Sequence, residues 1–416
     1  MAQSIAFYLL MHQPWRFRLP LADPLLADAP MNQWQAALFD GPLNRRYFSG
    51  VAERSYIPML TLLEELLDQG FCVNLGVSWT FWEQAELFGE PLTSLLSRVL
   101  AHPGVEIVGV EPYHSLIPFI DAAMFRRRMK WMQGRLEKRF KKRVQVTDTT
   151  EMFYSDLIYW SLADAGFSAM LIDGRPSVAG AEGPAGLYRG PASLKLIPRH
   201  WRLSDDVGYR FSNRDWDGYP LLAPTYAEWL KNAPGPFITV GWDFETFGEH
   251  HRAETGIFAF MRQLPVELKR RGITSVRFSE VLDVVPTASL TPPLEAETWA
   301  GTGTVDFFVG NRPQWHMFLN MASVYHKAKL TGQPGAVDLA LRLMQSDHLH
   351  MLHWYELSGP EADVSMYFTP GEWWDQGRDG MLAGLEAIFA AFDRALDNLL
   401  YSKRARESRT SPTTLR

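Results

Sequence analysis

Short apolar, β-rich runs recur along the first two thirds of this chain, each ending in polar or turn residues before a helical pattern begins. They are Ile5–Leu10, Phe71–Gly76, Val105–Val110, Val144–Thr147, Ala169–Ile172, Phe237–Trp242 and Val276–Phe278. Strands that alternate with helices imply a parallel sheet. Seven such runs crowd a small open sheet and suit a closed or nearly closed barrel, so the expected class is α/β. The helices between them read clearly. Tyr56–Gln69, for example, carries Leu60, Leu63, Leu66 and Leu67 on one face and meets Gly70 as its stop.

The residues just past the runs are His12, then Ser78 and Trp79, Glu111 and His114, Glu151, Asp173, Asp243 and Glu245, and Glu280. In β/α barrels the active site is built where the carboxyl ends of the strands feed the loops. Polar residues at loop starts are common, and it is their repetition that points to a site. The densest case is Phe237-Ile-Thr-Val-Gly-Trp-Asp243-Phe-Glu245-Thr-Phe-Gly-Glu249-His250-His251. Strand alternation continued through it would put Asp243 and Glu245 on one side and Trp242 and Phe244 on the other. Two acids so close in an aromatic-walled cleft have pKa values pushed apart, which lets one site hold an acid and a base. A helix cap would explain one acid here but not the cluster. Glu151, in Thr149-Thr-Glu151-Met-Phe-Tyr, could equally sit in a capped first turn. Beside Asp243 in one barrel it becomes a candidate catalytic partner, because a pair of carboxylates is what glycoside hydrolysis uses.

Composition narrows the partners. A net charge of −6 argues against a nucleic-acid surface. The basic run Arg126 to Arg143 is interleaved with Met129, Trp131, Met132 and Leu136 at helical spacing, as on the wet face of an amphipathic helix. A single cysteine, Cys72, excludes an internal disulfide. The first apolar run has no basic residue before it and leads straight into His12-Gln13-Pro14, so neither a secretory leader nor a membrane span is expected, and the expected location is cytoplasmic. Aromatic residues make up 13%, and Trp15, Trp79, Trp82, Tyr113 and Trp242 stand beside polar clusters where they could line a cleft. The histidines are spread over several loops without ligand spacing such as His-Glu-x-x-His, so no catalytic metal or other cofactor is expected.

For organisation, the barrel is expected over 1–290, with a Gly-, Pro- and Ser-rich excursion at about 174–220 that crosses its mouth and holds an extra strand at Leu194–Ile197. Pro286 to Pro293 marks a boundary. Helical patterns follow over 291–401, at Gln314–Leu330, Ala336–Met344 and Gly380–Leu400, contributing to the cleft, and 402–416 reads as a disordered tail.

Several segments, in order, resemble glycoside hydrolase family 57 and its α-amylase-like members. They are His12-Gln13-Pro14; Val105-Glu106 through Tyr113-His114-Ser115-Leu116; Thr149-Thr-Glu151-Met-Phe-Tyr; and Leu203-Ser-Asp-Asp206-Val-Gly-Tyr-Arg-Phe-Ser. The series continues with Asp243-Phe-Glu-Thr-Phe-Gly-Glu-His250, Ser346-Asp347-His348 and Asp363-Val-Ser-Met-Tyr-Phe-Thr-Pro370. The resemblance implies a (β/α)7 barrel followed by a helical region, acting on α-glucans or maltooligosaccharides with retention at the anomeric carbon. It puts the nucleophile on Glu151 and the general acid/base on Asp243. His12, Gln13, Glu106, His114, Trp242, Glu245 and His348 are then expected around the sugar. Relatives usually show Ser-Ala-Trp where this chain has Asp306-Phe307-Phe308, which alters an aromatic of the binding cleft. A 4-α-glucanotransferase or branching enzyme would use the same intermediate. A metal-dependent deacetylase and a non-catalytic glycan-binding protein are the readings of other classes.

Overall fold

In the computed structural model, which describes residues 2–21, 29–354 and 369–410, the first apolar run becomes the central strand of a sheet. This strand, β1 (Ser4–Met11), pairs in parallel with β2 (Val73–Val77) on one side and along its length with β8 (Phe237–Asp243) on the other. From β2 the order continues through β3 (Val105–Val108) to a parallel bridge between Gly109 and Thr147 of β4 (Val146–Thr147). Then β4 pairs β5 (Ala169–Asp173), β5 pairs β7 (Lys195–Arg199), and β7 meets β8 at Arg199 and Thr239. The ring therefore closes with seven parallel strands: β1, β2, β3, β4, β5, β7 and β8. Their residues are almost all buried, as strands covered on both faces require.

The seventh barrel strand is not the one the sequence suggested. Thr274–Val276 (β9) pairs only with Ser4–Ala6, beside the half of β1 that β2 does not use. Asn74 ties it there, donating to the carbonyls of Phe7 (3.0 Å) and Val276 (3.3 Å) and accepting from Phe278 N–H (2.8 Å). The missing member is β7, inside the stretch read as an excursion. A strand was expected there, at Leu194–Ile197, but as an extra one outside the barrel; Pro198 argues against a central place, since proline cannot donate to a ladder. Proline is accommodated because β7 touches β8 at a single register position. Two short strands, β6 (Tyr188–Arg189) and β10 (Ala288–Ser289), extend the sheet from β7.

Contacts divide the chain into one unit of Met1–Gln13 with Arg45–Phe307, the barrel, and a second of Pro14–Asn44 with Phe308–Arg416. The second is helical, built on Met31–Leu38, Arg312–Thr331, Pro334–Leu343, Asp347–Trp354 and Gly377–Thr410. Its core stacks Phe17 on Phe39 at 5.3 Å and sets Trp34 edge-on to Phe392 at 5.9 Å. The last helix runs on to Thr410, past the point where a frayed tail was expected. Asp363–Phe368, part of one segment behind the family resemblance, lies outside the described residues. No helix among the described residues is long and apolar enough to cross a membrane.

The basic run forms the helix Ala122–Phe140, which buries Phe125, Met129, Met132 and Leu136 as its periodicity requires. Its arginines are more than a solvated face. Arg128 lies over the Tyr113 ring at 4.7 Å, Arg135 over Trp79 at 4.5 Å and Arg139 over Trp82 at 4.4 Å. A cation thus covers a face of each of these aromatics.

Before the helix Ile57–Asp68 the chain makes a π-turn over Ala52–Tyr56, an irregularity frequent at functional sites. Gly248, at φ 106°, packs against it so closely that a Cβ would lie 2.0 Å from the Arg54 carbonyl oxygen. Gly256 shares a positive φ (86°) but faces open space. Gly248→Ala should therefore cost well over ~1 kcal/mol, and Gly256→Ala about that figure. Thermal melts of the two variants should show the larger drop for Gly248→Ala; equal drops would contradict the close approach.

Candidate active site

The left-handed turn after β4 carries the first carboxylate. Glu151 sits at φ 52° and Met152 at φ 50° inside the turn Thr150–Met152, and His114 across from them is at φ 53°. Such residues cost on the order of 1–3 kcal/mol each and persist only where surrounding contacts over-determine them. Those contacts are visible. Glu111 is fully buried and accepts from the N–H groups of Tyr113 (3.0 Å) and Ser115 (2.6 Å), bending the 111–115 turn. Thr149 Oγ1 donates to the Phe153 carbonyl at 2.8 Å, and Thr150 Oγ1 to that of Ser115, also at 2.8 Å.

Glu151 keeps 17% of its side chain exposed. Its Oε2 accepts from the Trp299 indole N–H at 2.8 Å, and its Oε1 lies 3.6 Å from His114 Nδ1. The His114 ring stacks on His12 with centroids 4.2 Å apart. His12 Nδ1 in turn faces Ser78 Oγ at 2.8 Å, the hydroxyl that caps the helix Trp79–Phe88. The structure therefore brings His12, His114 and Glu151 together.

Trp299 is held by a chain of buried charges rooted in the strand ends. Arg199 donates to Asp173 (3.0 Å), to Asp205 (2.7 Å) and to the Gly241 carbonyl (2.9 Å). Burial disfavours the charge of this guanidinium, but Asp205 and Asp173 outweigh it and raise its pKa above the usual arginine value. Arg175 shares Asp173 (2.6 Å) and reaches the carbonyls of Gly301 (2.7 Å) and Trp299. The 297–304 segment is also laced to Tyr154 by two backbone bonds of 2.9 Å, and Thr298 Oγ1 donates to the Glu151 carbonyl at 2.6 Å.

The second carboxylate, Asp243, ends β8 level with Leu10 of β1. Around it lies a group of acids and phenols. Tyr8 OH donates to Asp148 Oδ2 at 2.6 Å, and Tyr56 OH donates to Glu245 Oε1. Burial, and then the charge of Asp243, pushes Glu245 well above the usual carboxylate range, against the opposing Tyr56 hydrogen bond. Burial likewise raises Asp148 to about 7, opposed by the Tyr8 and Thr149 hydrogen bonds and assisted by Asp243. Strand alternation does not continue past Asp243, because Phe244–Thr246 forms a 3-10 turn that drops Glu245 into the interior.

Five residues expected at the sugar have their side chains turned into the interior or placed apart from Glu151. Gln13 is fully buried and supports Tyr56, donating to its OH at 2.8 Å. Glu245 is 1% exposed behind Tyr56. Trp242 is a core residue whose indole N–H bonds the Ser204 carbonyl at 2.7 Å and whose ring packs on Phe7 and Phe247. Glu106 belongs to β3 and accepts from Ser279 N–H at 2.7 Å, in a cleft with Pro103, Lys142 and Arg277 at the amino ends of the strands, away from Glu151. His348 is in the helical unit, with both ring nitrogens against carbonyls of Trp15 (3.0 Å) and Leu343 (3.2 Å) and its ring on Phe17. Trp15 is itself buried. Phe308 is buried in the same unit, edge-on to His350.

Asp148, Tyr8, Tyr56 and Trp299 were not singled out from the sequence. Asp148 stood in a Thr-rich run that reads as caps, and only its place directly after a strand could have flagged it.

The glycosyl hydrolase family 57 model matches residues 6–293. This chain belongs to that family. It is 36% identical over 289 residues to a putative α-amylase of Methanocaldococcus jannaschii, an alignment covering 67% of this chain and 59% of the relative, so it spans less than two thirds of that protein's length. Its fold resembles the 4-α-glucanotransferase of Thermococcus litoralis (TM-score 0.64, 16% identity, 83% of this chain and 55% of that one). It also resembles a branching enzyme of Pyrococcus horikoshii (TM-score 0.60, 12% identity, 88% of this chain and 87% of that one).

Two predictions concern the site's electrostatics. An acid whose folded pKa is raised from 3.8 to about 7 contributes stability in full below the lower value and loses it as pH rises through the higher. The melting temperature of Asp148→Asn relative to the parent should therefore climb between about pH 4 and pH 7 and be flat on either side; a relative fall over that range would contradict the burial argument. Trp299→Phe removes a charge-assisted bond of roughly 1.5–3 kcal/mol. Turnover of a glycoside substrate should fall about 10- to 150-fold with little change in melting temperature.

Proposed function

We propose that the chain is a retaining glycoside hydrolase that cleaves α-1,4-glucosidic bonds of α-glucans or maltooligosaccharides. The observation that carries the reading is the placement of Glu151. It is a partly exposed carboxylate after β4, fixed in a left-handed turn by an indole N–H, in a barrel whose β8 ends in a second carboxylate, Asp243. The resemblance assigns these two positions the same roles, and the named relative is a putative α-amylase.

In the first step Glu151 attacks the anomeric carbon while protonated Asp243 gives its proton to the departing glycosidic oxygen. In the second, ionised Asp243 takes a proton from water, which displaces Glu151 from the glycosyl-enzyme with a second inversion, so the configuration is retained. Such proton transfer contributes ~10²–10⁴-fold. Trp299 N–H orients the nucleophile during attack. His114, beside Glu151, and His12, stacked on it, are the polar residues we assign to the sugar hydroxyls. Asp148 and Glu245, both buried acids that feel the charge of Asp243, set the field in which it exchanges its proton.

The test is twofold. Glu151→Gln and Asp243→Asn should each remove nearly all turnover of a maltooligosaccharide while leaving the melting temperature within a few degrees. Proton NMR of early product should show the α-anomer first. A β-anomer product, or an active Glu151→Gln variant, would overturn the mechanism. Products longer than the starting oligosaccharide would assign the acceptor to sugar instead of water and make the chain a glucanotransferase.

A further inference from the structure

The segment after β7 forms a second feature that the proposed chemistry does not use. Between the helices Trp201–Gly208 and Ala223–Asn232, on the flank of the barrel, lies a groove of about 560 Å³ lined by Trp216, Trp229, Arg202, Asp206, Asp217 and Asn232. Its size falls in the range of small-molecule sites. Trp216 and Trp229 stand with ring centroids 6.1 Å apart and planes at 75°, both partly exposed. Gly218 lets the chain close over Trp216, since a Cβ there would lie 2.6 Å from the indole ring.

Polar groups surround the indoles. Asp206 is more than nine-tenths buried, accepts from Arg210 at 2.7 Å through Oδ1, and leaves Oδ2 without a hydrogen bond among the described residues. Arg202 and Asp217 are exposed and likewise make no side-chain hydrogen bond or ion pair among the described residues. Two indole faces combined with a guanidinium and carboxylates have the chemistry of a pyranose site: apolar C–H faces stack on the rings, and vicinal hydroxyls bridge the charged groups. We infer that this groove binds an α-glucan chain as a non-catalytic site, holding a long substrate against the barrel. The identity of the ligand rests on the α-glucan reading above.

The experiment is affinity electrophoresis of the full chain through gels containing soluble starch, comparing the parent with variants of the groove. The parent should be retarded, and Trp216→Ala/Trp229→Ala should weaken the apparent affinity by at least roughly tenfold. Turnover of maltotriose should stay within about twofold, and KM for soluble starch should rise with kcat little changed. Asp217→Asn and Arg202→Gln, at exposed positions that leave the fold alone, should weaken binding in the same direction and stand in if the double variant melts early. Retardation unchanged in all variants, or absent in the parent, overturns the proposal even where glucan turnover is normal. Retardation that needs Trp216 and Trp229 in a chain without glucan turnover would uphold the groove and reject the catalytic reading instead.

Discussion

The indole N–H of Trp299 on Glu151 is the contact on which the site depends, because it fixes a carboxylate that the backbone alone would not hold. Glu151 occupies a left-handed conformation, and a β-carbon there is tolerated only if the neighbours leave no alternative. Trp299 reaches it from a segment far along the chain. That segment is positioned by Arg175 and Arg199, which share the buried carboxylate of Asp173 at the end of β5. The barrel strands thus set Glu151 twice, once through the β4 turn and once through ion pairs from β5 and β7. A buried ion pair is weak evidence for stability, since desolvation offsets much of its attraction. Here its geometric role is the larger one.

The same economy of burial shapes the opposite wall. Tyr8, Asp148, Tyr56, Glu245 and Gln13 form hydrogen-bonded groups beneath Asp243, and their acids are pushed toward the protonated form by burial. An ionised cluster of this density would repel itself in a low-dielectric interior. Neutral acids bonded to phenols instead give Asp243 a polar floor whose charge responds to its own. The π-turn at Ala52–Tyr56 delivers Tyr56 to Glu245, and Gly248 permits the turn to pack.

Much of this was legible in the sequence. The alternation of apolar runs with helical patterns gave a parallel barrel, and the polar residues after each run pointed to its active end. Six of the seven strands fell where the apolar runs lie. The substitution of β9 for β7 had a local cause: the strand at Leu194–Ile197 was legible, but Pro198 and the flanking basic residues hide its place in the barrel, where β5 supports it along one edge. Residue roles were less legible, since alternation and motif position say nothing of depth. Glu245 and Gln13 were drawn inward by Tyr56, a partner placed by a π-turn that helical periodicity does not reveal. Glu106 is two positions into β3 and turns toward the amino ends, where Ser279 binds it. Trp299 lies far from Glu151 in sequence, and the contacts that bring it back, the ion pairs among Asp173, Arg175 and Arg199 and the backbone bonds to Tyr154, leave no local pattern.

The central claim is that Glu151 becomes covalently attached to sugar. A maltosyl fluoride bearing a second ring fluorine, which slows release of the glycosyl-enzyme more than its formation, followed by peptide mass mapping, tests it most directly. The account predicts one maltosyl adduct on the peptide containing Glu151, formed as fluoride is released and absent from Glu151→Gln. An adduct on the peptide containing Asp243, or steady fluoride release with no adduct at all, would contradict it.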